Sequence, residues 1–357
     1  MSALDIILSY LSPENPSPSL HSDRLSPPAL PSAGALESKE EGPTTLLFLV
    51  PSFSRPYQLH SLLRSLSCSY NEYVLTTTDR TGERLRVRVN VVYRADDDLS
   101  VKCYSNLICD WSKSPPDTLF SVAFHDENAR GFAAVWSSVI LDNVDYCDAV
   151  GFLVDDTIIG TNGLDPYSSD VKYESPEPQE TTPCPSPSGI PPSPKPQTIF
   201  TLFASLLPSL RSGEITAIQP RLSPSVSWSH TQDRVAAVPK TGVVWDGERG
   251  CYLRSARLGD GVDDKGEWEY YFDLCGGVYS TDVVREILGE IMKRDSNWGP
   301  NEFEAWGNAY LRSHLHNSKD GIVIQAFPPA SHLCVPTVNV VQTKWTTPVY
   351  GDTHSSE

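Results

Sequence analysis

Two aspartates, Asp155 and Asp156, directly follow the apolar run Ala149-Val-Gly-Phe-Leu-Val154. Carboxylates placed this way are the hard oxygen ligands that Mg2+ or Mn2+ takes when it bridges a diphosphate. Such a cation neutralises charge growing on a leaving diphosphate. The same pair also suits a plain turn after a strand, where aspartate is favoured. Other polar groups share the pattern. Pro51, Ser52 and Arg55 follow Leu46-Leu-Phe-Leu-Val50, and Arg94-Ala-Asp-Asp-Asp98 follows a second apolar stretch. A guanidinium such as that of Arg55 or Arg130 forks onto phosphate oxygens. For Arg130 a surface salt bridge is an equal reading. Asp96, Asp97 and Asp98 suit hydrogen bonds to a ribose or base, as a carboxylate makes in other nucleotide folds, or a solvated acidic turn.

The elements that would position these groups read as alternating strands and helices. The continuous apolar run at 46–50 predicts a strand buried on both faces, and Leu59, Leu62, Leu63 and Leu66 carry helical spacing behind it. Residues 86–93, 119–124 and 149–154 predict three further strands, with helices over 101–112 and 131–141. Strands alternating with helices imply an α/β fold with a mainly parallel central sheet and right-handed crossovers. Ligands in such sheets bind beyond the carboxyl ends of the strands. Arg55, Asp96, Asp97, Asp98, Asp155 and Asp156 all fall at that edge. Further on, the pattern predicts a helix from Thr198, a strand over 214–219 and hairpins within 240–272. Helices ending near Arg294 and opening at 298–306 follow, then a strand over 321–327.

Composition narrows the class. The chain has 357 residues, 39% hydrophobic and 20% charged, enough for a large buried core. A net charge of −17 excludes general nucleic-acid binding, which needs a basic face, but not a local nucleotide site. The 8 cysteines are scattered without a CxxC pair, which argues against zinc and against a disulfide framework. The apolar start is too short and lacks a basic segment for a signal peptide, and no window reaches membrane-spanning length, so a cytoplasmic protein is expected. The 30 prolines cluster in a leader, 1–43, and in an insertion, 164–198, both expected to be disordered.

Several motifs, in order, carry a family resemblance. Val50-Pro-Ser-Phe-Ser-Arg-Pro56 resembles the first strand and loop of family 2-type glycosyltransferases with the GT-A fold. Arg94-Ala-Asp-Asp-Asp98 is similar to their acidic nucleoside loop, and Gly131-Phe-Ala-Ala-Val-Trp136 to the helix start before the metal strand. Gly151-Phe-Leu-Val-Asp-Asp156 looks like the metal-binding region. Asp273-Leu-Cys-Gly-Gly277 resembles the acceptor-side loop, and Trp298-Gly-Pro-Asn-Glu302 the segment with the catalytic base. The agreement runs over about residues 46–310. Two departures stand out: Val-Asp-Asp replaces Asp-x-Asp, and Asn301-Glu302 replaces a Glu-Asp pair.

The resemblance implies a Rossmann-like GT-A domain over 44–345, with a nucleotide-binding half at 44–163, an acceptor-binding half at 199–345 and a tail at 346–357. It implies a UDP- or GDP-linked sugar donor, a hydroxyl acceptor and Mn2+ or Mg2+. Asp155, Asp156 and His332 are the implied metal ligands. Pro51, Ser52, Arg55, Asp96, Asp97, Asp98, Arg130 and Gly131 would line the nucleotide. Glu302 would be the general base of an inverting transfer, with Glu304 as the fallback. Both also read as first-turn glutamates of a helix. Trp298 and Trp306 would stack on a sugar or fill the core. Two other functions fit a similar scaffold. A nucleotidyltransferase would need a glycine-rich phosphate loop, absent from 51–56. A catalytically degenerate binding protein would offer its proline-rich segments to partner domains. Deleting residues 167–196 should leave a cooperative thermal melt, because a Pro/Ser-rich insertion buries little apolar surface; loss of the transition on deletion would show that the segment packs.

Overall fold

The first strand, β1 (Thr45–Phe53), turns Leu46, Phe48 and Val50 to one layer of helices and Leu47 and Leu49 to the other. Burial on both faces is what its unbroken apolar run requires. The computed structural model describes residues 44–335, apart from 78–83, 114–118, 129, 161–196, most of 225–241, 258–267, 269 and 318–321. The compact unit spans Thr44–Pro336. The expected leader, the tail and nearly all of the expected insertion lie outside the described residues. The last insertion residue, Thr198, caps the helix that follows through its side chain.

After β1 come α1 (Pro56–Thr77), β2 (Arg86–Arg94), α2 (Asp98–Trp111), β3 (Phe120–Asp126), α3 (Phe132–Asn143) and β4 (Ala149–Phe152). A short strand, β5 (Ile158–Ile159), precedes α4 (Ile199–Arg211), β6 (Ala217–Ile218), β7 (Trp228–Ser229), β8 (Arg234–Val235), β9 (Val243–Asp246) and β10 (Cys251–Arg257). The chain continues through β11 (Val278–Ser280), α5 (Thr281–Arg294), α6 (Pro300–Asn317), β12 (Ile322–Phe327) and β13 (Leu333–Cys334). Among the described residues, nine strands form one sheet in the order β3-β2-β1-β4-β11-β6-β12-β10-β9. Helices α1, α2 and α4 pack on one face and α3, α5 and α6 on the other.

The central sheet is mixed, with the expected parallel pairing throughout its first half and again between β6 and β12. β3, β2, β1 and β4 are parallel, but β11 runs antiparallel to both β4 and β6, and β10 antiparallel to β12 and β9. The reversal at β11 has a consequence for the site. The loop 273–277 enters this strand from the edge where β1–β4 end, so it joins their loops.

Strand order reverses beside β1. β2 and β3 step away on one side of it, and β4 returns on the other. Such a topological switch point leaves a crevice between diverging loops. Pairing of β1 with β4 stops at Leu49↔Phe152, whereas pairing with β2 continues to Phe53↔Arg94. Leu153 N–H still donates to the Leu49 carbonyl, and Ser54 N–H to the Arg94 carbonyl, so odd residues of β1 address β4 and even ones β2. Pro51, which has no N–H to give, therefore faces the side where pairing has ended. β4 itself stops two residues short of the expected end, leaving Leu153 and Val154 as the lead into the aspartates.

The loop that leads into β11 is held against α6 by close packing. A Cβ on Gly307 would lie 2.2 Å from Phe272 Cδ1, and the Phe272 ring is fully buried. Nothing stands within 4 Å of a Cβ built on Gly289 in α5. Among the described residues, no helix is long and apolar enough to cross a membrane, and the described cysteines are free thiols. Gly307→Ala should destabilise the fold by about 1–3 kcal/mol through overpacking, whereas Gly289→Ala should stabilise it by up to about 1 kcal/mol. Urea melts of the two variants check this, and equal effects would contradict the packing described.

Candidate active site

The β1–α1 turn is built by strain and by a helix start. Ser54 takes a left-handed conformation, φ 52°, uncommon for a residue with a side chain. Asp96 holds it there: the Asp96 N–H donates to Ser54 Oγ at 3.0 Å, and Ser54 Oγ reaches Asp96 Oδ2 at 3.3 Å. Pro56 then begins α1, a first-turn position that suits proline, and Leu59 N–H closes onto the Arg55 carbonyl. Arg55 is thereby set at a helix N-terminus beside the crevice.

Its guanidinium bridges the aspartate pair. Arg55 Nη1 lies 3.3 Å from Asp155 Oδ1 and 3.2 Å from Asp156 Oδ2. Asp155 Oδ2 accepts from Ser52 Oγ at 2.9 Å, and Ser52 Oγ is 2.7 Å from the Tyr104 hydroxyl, which also takes the Arg55 backbone N–H at 3.1 Å. Both oxygens of Asp155 are thus engaged. Burial pushes the Asp155 carboxyl up to about 6, opposed by Arg55 and Ser52. Burial also raises Asp156, with Arg55 opposing. Asp156 keeps 18% of its side chain exposed against 6% for Asp155, which makes it the more accessible carboxylate of the two.

A second charged group forms around the loop that enters β11. Asp273 Oδ2 accepts from Arg221 Nε at 2.9 Å, and its Oδ1 accepts from Cys275 N–H at 2.7 Å. Ligand atoms of Asp273, Cys275 and Glu304 lie within 4.8 Å of one another. Glu304 Oε1 accepts from Leu274 N–H at 3.0 Å, and the Tyr270 hydroxyl also bonds this carboxylate. Burial, reinforced by the negative charge of Asp273, pushes Glu304 up to about 7. Burial raises the Cys275 thiol as well, with the negative charges of Asp273, Glu304 and Asp156 adding to the rise. Asn308 fixes the arrangement. Its Oδ1 accepts from Tyr271 and Phe272 N–H, and its Nδ2 donates to the carbonyls of Phe272 and Glu304.

The other expected residues have different places. Glu302 Oε2 accepts from Gly299 N–H at 3.0 Å, three residues back, the reach of a capping box closed from the N3 position of α6. Asp97 caps α2, accepting from Ser100 N–H and Oγ, and this lowers its carboxyl. Asp96 pairs with Arg94 at 2.8 Å, and Asp98 is exposed in the first turn of α2. Arg130 is exposed, while Gly131 precedes α3 with φ 78°. His332 is buried, its ring pushed down to about 4 by burial, and its main chain bridges Pro220 and Gly160. Among the described residues, the group of three whose ligand atoms lie close enough to hold a metal ion is Asp273, Cys275 and Glu304, and His332 is not part of one with Asp155 and Asp156. Trp298 is a core ring stacked on Phe303, and Trp306 carries the Arg294 guanidinium over its face.

Arg221, Tyr104, Tyr270 and Asn308 escaped sequence reasoning, and no local spacing marks them. Asp273 and Cys275 lie in the Asp273-Leu-Cys-Gly-Gly277 stretch, whose sequence alone assigns neither a role. No protein-family model matches the chain, and no curated protein matches it.

The raised Glu304 has a stability signature. Its folded pKa, about 7, exceeds the ordinary 4.5, so the folded chain binds more protons than the unfolded one in between. This group's contribution to stability therefore falls as pH rises from about 4.5 to about 7. His332, lowered to about 4, acts in the opposite sense, losing stability as pH falls below about 6.5, so the wild-type profile alone is mixed. The difference in melting temperature between wild type and E304Q isolates Glu304, and it should shift against wild type across that window. A pH-independent difference would refute the raised pKa.

Proposed function

We propose that the chain is a metal-dependent glycosyltransferase of GT-A-like fold, moving a sugar from a UDP- or GDP-linked donor to an acceptor hydroxyl with Glu304 as general base. The observation that carries the reading is the presence of two charged groups at the carboxyl edge of the sheet. Arg55, Asp155 and Asp156 bridge the β1/β4 switch point, and Asp273, Arg221 and Glu304 gather around the loop that enters β11. The first group suits a diphosphate. The second suits a hydroxyl that must lose a proton.

Asp156, with Asp155 behind it, would hold Mn2+ or Mg2+, which when bound neutralises charge on the departing diphosphate. Arg55 and the N-terminus of α1 supply donors for phosphate oxygens. In the transfer, the bond from the anomeric carbon to the diphosphate breaks as the acceptor oxygen bonds to that carbon. The acceptor proton passes to Glu304, and the nucleoside diphosphate leaves. A base poised near neutral pH is efficient in this role, and burial beside Asp273 raises Glu304 to about 7. Arg221 keeps Asp273 paired, so the loop holds its shape around Glu304. Glu302, engaged in capping α6, is the less suitable carboxylate.

With Mn2+ present, UDP or GDP at one hundred times its dissociation constant should stabilise the protein by about 2.7 kcal/mol. Stabilisation that persists undiminished in EDTA would remove the cation from the reading. E304Q should lower sugar transfer by roughly 10²–10⁴-fold, with E302Q affecting stability more than turnover. Wild-type turnover should rise with pH through about 7, as Glu304 deprotonates. Full transfer by E304Q would sink the assignment of the base.

A further inference from the structure

We propose that Arg55 is the resident counter-cation of the aspartate pair, and that a divalent cation binds Asp156 only by displacing it, which frees the guanidinium for the donor's phosphates. The proposal rests on the nucleotide-sugar reading of this site and concerns how the site is loaded.

Arg55 Nη1 stands within 3.3 Å of both carboxylates, in the space a cation shared by them would occupy. A guanidinium and a dication held between the same two carboxylates would repel strongly at such separations. One must leave. Asp155 cannot yield, because Ser52 and Tyr104 tie it into the buried end of β1. The backbone of Arg55 is equally fixed: its N–H bonds the Tyr104 hydroxyl, and its carbonyl closes the first turn of α1. Freedom therefore lies in the Arg55 side chain and the partly exposed Asp156 carboxylate. A released guanidinium pivots about a fixed Cα at a helix N-terminus, a position that already favours phosphate. Its planar fork matches phosphate oxygens in a way an ammonium does not.

The exchange keeps the site's charge in balance at each stage. Without a divalent cation, Arg55 offsets the carboxylates. With one bound, the dication offsets them and Arg55 offsets the diphosphate. Cation and nucleotide should then bind cooperatively, each relieving a charge the other leaves uncompensated.

The test measures Mn2+ binding to the full chain without nucleotide, following the paramagnetic resonance signal of free Mn2+. R55Q should bind Mn2+ at least about tenfold more tightly than wild type, equivalent to about 1.4 kcal/mol. R55K should show a smaller gain, since one ammonium cannot bridge both carboxylates as a fork does. D156N should abolish the binding. Unchanged or weaker Mn2+ binding by R55Q overturns the proposal, and R55K decides in the same way if R55Q fails to melt cooperatively. Loss of binding in D156N without any gain in either Arg55 variant overturns the counter-cation role and leaves the transferase reading standing. Binding that D156N leaves intact overturns the proposal and the metal assignment together.

Discussion

The bridge from Arg55 to Asp155 and Asp156 joins the two halves of the crevice, and the surrounding structure serves to hold it. Burying carboxylates raises the free energy of their ionised forms unless a partner and hydrogen bonds offset it. Here Arg55 supplies the charge and Ser52 the hydrogen bond to Asp155, with Tyr104 bonded in turn to Ser52 and to the Arg55 backbone. Those four residues come from β1, the head of α1, α2 and the end of β4. Each element must therefore reach its place before any of them is satisfied.

The group around the loop that enters β11 has a parallel construction. Asp273 and Glu304 are acidic groups brought close together, and Arg221 offsets one of them while main-chain N–H groups of Leu274 and Cys275 accommodate both. Asn308 and Gly307 lock the loop to α6, one by bonding its backbone and the other by leaving room for Phe272. Glu304 remains proton-hungry because it is buried and stands beside the negative charge of Asp273.

The first half of the fold was legible from residue order because β1 and β4, buried along nearly all their length, read as apolar runs and the segments between them alternate strand and helix patterns. The edge at which Arg55 and the aspartates meet followed from that alternation. Less legible was the use made of each acid. Asp97 and Glu302 sit at helix starts, where a short side chain and a three-residue reach-back are the local solution for bare N–H groups. Nothing in a row of three aspartates tells which one caps, and nothing in Glu302-Phe-Glu304 tells which glutamate turns toward the loop.

By itself the sequence determined an α/β chain, the first four strands, and the polar edge beyond their carboxyl ends, because hydrophobic periodicity and strand–helix alternation are local properties. Tertiary structure alone decided that β11 runs antiparallel and so delivers Asp273 to the same edge. It also decided that Arg221 and Glu304, 83 residues apart, meet around Asp273, and that Arg55 reaches across 100 residues to Asp155. Those pairings depend on which strands become neighbours, and strand neighbours are set by burial of the whole sheet between two helical layers rather than by any residue's own preference.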